Sequence, residues 1–160
     1  KRKAKLQQAL AILLTVPRIP QIYYGTEFMF SGDGKGMEDG NYRQDAFQIL
    51  NSSDVMASGV VPFLRKILEW RKGSRAVTKG SMKHFIPQKG VYVYFRQYED
   101  EKVMVVVNVA SKRMDIDLSQ YMEELDGYKS GTDIITERKM RLDTMSLAIK
   151  SNDVLILNLE

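Results

Sequence analysis

The residues best equipped for chemistry lie in one glycine- and aspartate-rich stretch, Phe28 to Asp54, FMFSGDGKGMEDGNYRQDAFQILNSSD. It has neither helical nor strand periodicity, and a long loop of this kind in a compact domain is often a carrier of function. An EF-hand beginning at Asp33 is excluded, because Lys35 and Met37 stand where oxygen ligands are needed and Glu38 where glycine is needed. A phosphate-binding P-loop fails as well, since no Gly-Lys-Ser/Thr follows the four-residue spacer. What remains is Asp39-Gly40-Asn41-Tyr42-Arg43, a carboxylate four residues before a guanidinium. Spacing alone leaves two readings open, a local ion pair of little energetic weight or a binding pair. Elsewhere His84 is the only histidine and nothing with metal-ligand spacing accompanies it. Ser/His/Asp chemistry lacks a nucleophile-elbow glycine pattern, and with no cysteine there is neither thiolate chemistry nor a disulfide framework.

The elements that must position this loop are legible on both sides of it. Leu6, Ala9, Leu10, Leu13 and Leu14 recur at helical spacing, which predicts an amphipathic helix over Lys3 to Thr15. Pro17 and Pro20 stop it, because proline lacks an amide donor and biases the preceding residue away from helix. A short strand, Gln21 to Tyr24, is expected next, running into Gly25-Thr26-Glu27. Strand alternation would point Tyr23 and Tyr24 to opposite faces. After the loop, Val61, Leu64, Ile67, Leu68 and Arg71 predict a second helix over Val55 to Arg71, regular only after Pro62. Trp70 at its end reads as a core or interface residue, with a sugar-stacking platform as the alternative.

From Ser74 onward the period changes from helical to alternating. Strands are expected at Ser81 to Phe85, Val91 to Gln97, Val103 to Asn108, Met114 to Leu118, Lys129 to Ile135, Met140 to Leu142, Ser146 to Ile149 and Val154 to Leu159. Val103-Met104-Val105-Val106-Val107 is apolar on both faces, as in a central strand. Many short strands separated by turn signals indicate an antiparallel sandwich. His84, beside Phe85 in a predicted strand, is expected to be structural or superficial.

Several of these stretches resemble the α-amylase family of glycoside hydrolases. Ile19-Pro20-Gln21-Ile22-Tyr23-Tyr24-Gly25-Thr26-Glu27 is similar to the pattern of that family's last barrel strand, with Arg18 where glycine is common. FLRKILEWRKGSRAV resembles its eighth barrel helix, and G-V-Y-V-Y-F-R and V-M-V-V-V-N resemble the sandwich domain of neopullulanases and cyclomaltodextrinases. The resemblance implies an α+β chain: residues 1–75 as the end of a (β/α)8 barrel (helix, strand 8, long loop, helix 8), and residues 76–160 as an all-β antiparallel Greek-key sandwich. It also implies that Asp39 and Arg43, at the family's D-x-x-x-R spacing, bind sugar hydroxyls together with Tyr24, while Glu27 organises the loop. Gly40 replaces the usual proline, and Asn41 carries the amide. Retaining glycoside hydrolysis needs two carboxyls about 5–5.5 Å apart at the C-terminal face of the barrel. In the family these come from earlier strands, so no catalytic residue is expected in this chain. No cofactor or metal site is expected either, although a calcium ion in the parent is compatible with the resemblance. The partner it implies is an α-glucan oligosaccharide: starch, maltodextrin, cyclodextrin or pullulan. The alternative is a free-standing carbohydrate-binding or protein-interaction sandwich without catalysis.

Composition sets further bounds. The net charge is +4, with 13 Lys/Arg against 7 Asp/Glu in residues 1–80 and 11 against 13 in residues 81–160. The excess sits on helical faces and forms no continuous basic stripe with aromatic motifs, so no nucleic-acid partner is expected. The basic opening followed by Ala9 to Val16 imitates a secretory signal, but it lacks a small-residue cleavage site. The apolar run is also far shorter than the ~20 residues that span a bilayer, so no membrane partner is expected. The absence of cysteine fits a cytoplasmic or a periplasmic home and separates neither. The chain opens on Lys1 in mid-helix and is read as a piece of a longer protein. Its barrel remnant is expected to fold back on the sandwich or to self-associate through exposed surface.

Overall fold

The computed structural model describes residues 2–30 and 59–160. In chain order these form α1 (Arg2–Thr15), α2 (Val60–Gly73) and α3 (Arg75–Thr78), then β1 (Ser81–His84), β2 (Val91–Tyr98), β3 (Glu101–Asn108) and β4 (Met114–Asp117). A 3₁₀ turn (Leu118–Tyr121) and α4 (Met122–Leu125) follow, then β5 (Ser130–Asp133), β6 (Lys139–Arg141), β7 (Ser146–Ile149) and β8 (Asp153–Leu159).

The long apolar run read from the sequence becomes the centre of the molecule. β3 pairs antiparallel with β2 on one side and β8 on the other, in a six-stranded sheet ordered β1-β2-β3-β8-β5-β6. β4 and β7 form a separate antiparallel pair, so the chain leaves the large sheet after β3, returns for β5 and β6, leaves again for β7 and closes on β8. Alternation then divides β3 between two cores. Val103, Val105 and Val107 face one way, with Tyr94, Val154 and Ile156, onto Leu10 and Leu14 of α1 and Phe63, Leu64 and Ile67 of α2. Met104 and Val106 face the other way, with Phe95, Leu155 and Leu157, onto Ile116, Leu147 and Ile149 of the small sheet. The order of layers is therefore helices, large sheet, small sheet, and β3 needs apolar residues on both faces because it is covered on both.

All eight strands expected from Ser81 onward are present, with ends shifted by at most two residues. The β2–β3 hairpin turns on Glu99-Asp100, where Glu99 takes a left-handed φ of 52° and Tyr98 pairs with Glu101. α1 begins one residue earlier than expected, and α2 starts at Val60 with Pro62 in its first turn, where its missing N–H costs no helical bond. Residues 55–58 of the expected second helix lie outside the described residues.

The strand expected at Gln21 to Tyr24 is not formed. A strand exists only where a neighbour supplies its ladder, and no described segment pairs with these residues. The backbone instead closes on itself through Thr26 N–H to Tyr23 O at 3.1 Å and Phe28 N–H to Gly25 O at 3.2 Å. Without the strand, the alternation argument for Tyr23 and Tyr24 also fails: both rings are exposed, at 57% and 46%. Packing of α1 and α2 on the sheet is the first of the two arrangements expected for the amino-terminal part. No described helix is long and apolar enough to cross a membrane.

Candidate functional site

The site residues read from the sequence fall in two groups. Asp39 and Arg43 lie outside the described residues. Tyr24 and Glu27 come together in the turn Tyr23–Phe30, and the chain leading to that turn is held from two sides.

α1 would leave its last carbonyls without partners at Thr15, because Pro17 cannot donate. Two arginines supply the donors. Arg71, near the end of α2, donates through Nη1 to Leu14 O at 2.5 Å and through Nη2 to Arg18 O at 3.2 Å. Arg96 of β2 donates through Nη1 to Thr15 O at 2.6 Å. Cations at a helix C-terminus also meet the negative end of its dipole. Burial lowers the Arg71 pKa, and it lowers that of Arg96 together with the nearby Arg71 charge. The sequence marked Arg71 only as a member of the periodic pattern of the second helix. It did not mark Arg96.

Beyond this anchor the chain turns at Gly25, whose φ of 85° disfavours a side chain. A Cβ there would lie 2.2 Å from Cδ2 of Phe30, so the ring occupies the space that glycine leaves. Phe30 N–H returns to Gly25 O at 3.0 Å and Met29 N–H to Thr26 O at 3.0 Å. Around this knot the Tyr24 ring stands edge-on to Phe30 at 5.9 Å, and Phe28 lies 5.5 Å from Phe30. One face of the turn is therefore aromatic, with half-exposed Tyr24 at its rim. Glu27 adds the polar element: its Oε2 is buried and has no hydrogen-bond partner among the described residues. A buried acceptor left unmatched is costly, and it marks a place where a donor fits. One carboxylate and an aromatic rim can bind and orient a hydroxylated ligand, but they do not provide the paired carboxyls of glycoside hydrolysis.

The remaining singled-out side chains have structural settings. The His84 imidazole is exposed and contacts the Tyr92 ring at 6.3 Å. Trp70 packs against the helix-side core and donates its indole N–H to Asn158 Oδ1 at 3.1 Å. Among the described residues no group of three or more His, Asp or Glu is placed to hold a metal ion.

Comparison with known proteins bears on this geometry. Residues 82–158 match the Cyclo-malto-dextrinase C-terminal domain family. Over 112 residues the chain is 32% identical to a cyclomaltodextrin glucanotransferase of Geobacillus stearothermophilus, covering 67% of this chain and 14% of that protein. A cyclomaltodextrinase of Thermoanaerobacter pseudethanolicus is 24% identical over 155 residues, 96% of this chain and 24% of its own length. The whole chain superposes on 34% of the α-amylase of Geobacillus thermoleovorans solved with acarbose, with a TM-score of 0.82 and 22% identity. Over nearly its whole length the chain is thus similar to α-amylase-family enzymes. It spans about a quarter or less of the length of the two relatives named. The family match begins at β1 and ends in β8, so it takes in the two sheets, while the likeness in fold extends through α1, the Gly25 turn and α2.

Proposed function

We propose that this chain is the carboxy-terminal portion of a retaining glycoside hydrolase of the α-amylase family acting on α-glucans. Residues 1–75 are its contribution to a (β/α)8 barrel and residues 76–160 a stabilising sandwich. The observation that carries the reading is the superposition of the entire chain, helices and sheets together, on an α-amylase solved with acarbose. In that setting Gln21 to Tyr24 would gain the ladder it lacks here and become the last barrel strand.

Asp39, Arg43 and Tyr24 then form part of the glycone site: the carboxylate accepts from sugar hydroxyls, the guanidinium donates in fixed directions, and the tyrosine offers a ring to the same sugar. Glu27 organises the loop, and its buried Oε2 supports this role as an acceptor that no donor among the described residues meets. The catalytic acids belong to other strands of the parent, and no calcium site is assigned to this chain.

The test compares the parent enzyme with the isolated chain on soluble starch and cyclodextrin. The expected result is turnover by the parent, none by the chain, and a rise in KM of at least tenfold in the parent for Asp39→Ala and Arg43→Ala. Release of reducing sugar by the chain at the parent's rate would overturn this division of labour. The alternative, an autonomous sandwich module, predicts full maltooligosaccharide affinity in the chain with no contribution from Asp39 or Arg43. Transfer in place of hydrolysis is a second reading, favoured by the glucanotransferases among the relatives, and product analysis separates the two. Self-association belongs to the same proposal, through the surface that carries Ile19, 94% exposed, and Tyr23. Light scattering of the chain reads it directly.

A further inference from the structure

A cleft of about 370 Å³ opens where the end of α2 meets the start of β3 and the end of β8, lined by Trp70, Gly73, Ser74, Glu101, Lys102, Asn158 and Leu159. Its charged groups are already matched. Glu101 accepts from Ser74 Oγ at 2.5 Å and from Arg75 N–H at 2.9 Å. The Lys102 ammonium sits 2.7 Å from Glu124. Neither an anion nor a cation would find an unpaired partner among these side chains, which selects for a neutral ligand.

The remaining lining groups are an indole and an amide. Trp70 is fixed in orientation because its Nε1–H is held by Asn158 Oδ1, and that bond leaves the Nδ2 donors of Asn158 with no partner among the described residues. A rigid aromatic surface beside a fixed amide donor suits a ligand with an apolar C–H face and hydroxyls at its edge, which is the chemistry of a pyranose ring. Gly73 adds a further observation: it is exposed at the cleft edge and a Cβ there would meet nothing within 4 Å, so a side chain can be added there without a clash.

We propose that this cleft binds a glucose unit of an α-glucan, with Trp70 as the stacking surface and Asn158 as the donor to its hydroxyls. The α-glucan assignment rests on the proposed function, whereas the preference for a neutral sugar rests on the cleft alone. Trp70 is thus both the interface residue and the stacking platform between which the sequence left the choice open.

Trp70 is the single tryptophan of the chain, so its fluorescence and its indole N–H resonance report on this cleft without interference. Titration of the chain with maltotriose is expected to shift the Trp70 indole and Asn158 side-chain amide resonances together and saturably in the millimolar range. Gly73→Gln places a long side chain at the cleft edge in a conformation open to any residue, and is expected to weaken binding at least tenfold with an unchanged melting temperature. Asn158→Asp keeps the acceptor for Trp70 but removes the donor, and is expected to do the same. Unmoved resonances at saturating maltotriose, or full binding by Gly73→Gln, would overturn the proposal. An equal response to cellotriose would overturn the α-glucan assignment. Activity of the parent on starch is a separate readout, so failure of the cleft and failure of the proposed function are told apart.

Discussion

Arg96 Nη1 donates to the carbonyl of Thr15 at 2.6 Å, joining β2 of the large sheet to the last turn of α1 across 81 residues of sequence. The same guanidinium donates to Gly80 O at 2.7 Å and to Ser81 O at 3.0 Å, and the residue is 1% exposed. All three acceptors are carbonyls. Three backbone groups from two layers of the molecule thus depend on one side chain.

Loss of that side chain should be severe. Hydrogen bonds to charged groups contribute about 1.5–3 kcal/mol each, and stranding a buried carbonyl costs about 1–3 kcal/mol. Arg96→Met is therefore expected to lower stability by about 3–5 kcal/mol, a large part of a typical domain's total. Arg96→Lys, which cannot reach all three carbonyls, should fall between the two. Urea denaturation with an unchanged slope measures this, and a loss under about 1 kcal/mol would show that water replaces the guanidinium.

The Gly25 turn is expected to fail locally while the sheets persist. Gly25→Ala imposes a left-handed φ on a side chain, at about 1–2 kcal/mol, and drives its Cβ into the Phe30 ring. Amide exchange of Phe28, Met29 and Phe30 should accelerate markedly, while Val105 and Ile156 stay protected. Equal protection of the turn in wild type and variant would sink the account of Phe30 as the ring that fills the glycine's space.

Alkaline stability should depend on Tyr94. Its ring is fully buried and its hydroxyl hydrogen-bonds Thr15 Oγ1 at 2.5 Å, and burial raises its pKa far above the usual 10.0. The folded chain keeps the proton where the unfolded chain releases it. The stabilisation is complete below the unfolded value and declines as pH rises above it toward the folded one. Tyr94→Phe should lose about 1 kcal/mol near neutral pH for the missing hydrogen bond. It should also show a flatter stability profile above pH 10, read from denaturant midpoints across the alkaline range.

The strands were legible because each is a local alternation, and β3 because burial on both faces writes a continuous apolar run. Layering was less so: nothing in Arg96 distinguishes a buried carbonyl clamp from a surface arginine on an alternating strand. The Gln21 to Tyr24 segment shows the opposite failure. Its composition is that of a strand, but strand formation is decided by a neighbour that local sequence does not contain. Tyr24 and Glu27 share a turn because Gly25 sits between them, which the sequence does show. The burial of the Glu27 carboxylate depends on residues brought to the turn by tertiary packing, which has no local signature.

Glu124 should govern stability on the acid side. It lies 2.7 Å from Lys102 and 2.7 Å from Lys83, with only 12% of its side chain exposed and 8% of that of Lys102. Burial alone would raise its pKa, but hydrogen bonds from Lys102 and Lys83 outweigh burial and hold it below the usual 4.5. Because the folded value is depressed, the stabilisation is complete above the unfolded value and disappears as pH falls through the folded one. Glu124→Gln should remove that acid limb and cost about 2–4 kcal/mol at neutral pH, since the Lys102 ammonium then stays buried over the Phe95 and Tyr128 rings without an anion. Lys83 is half-exposed, so Lys83→Met should change little. If Lys83→Met and Glu124→Gln proved equally destabilising in urea at pH 7, solvent exposure would not be what ranks these two contacts, and the pair buried at Lys102 would lose its special place.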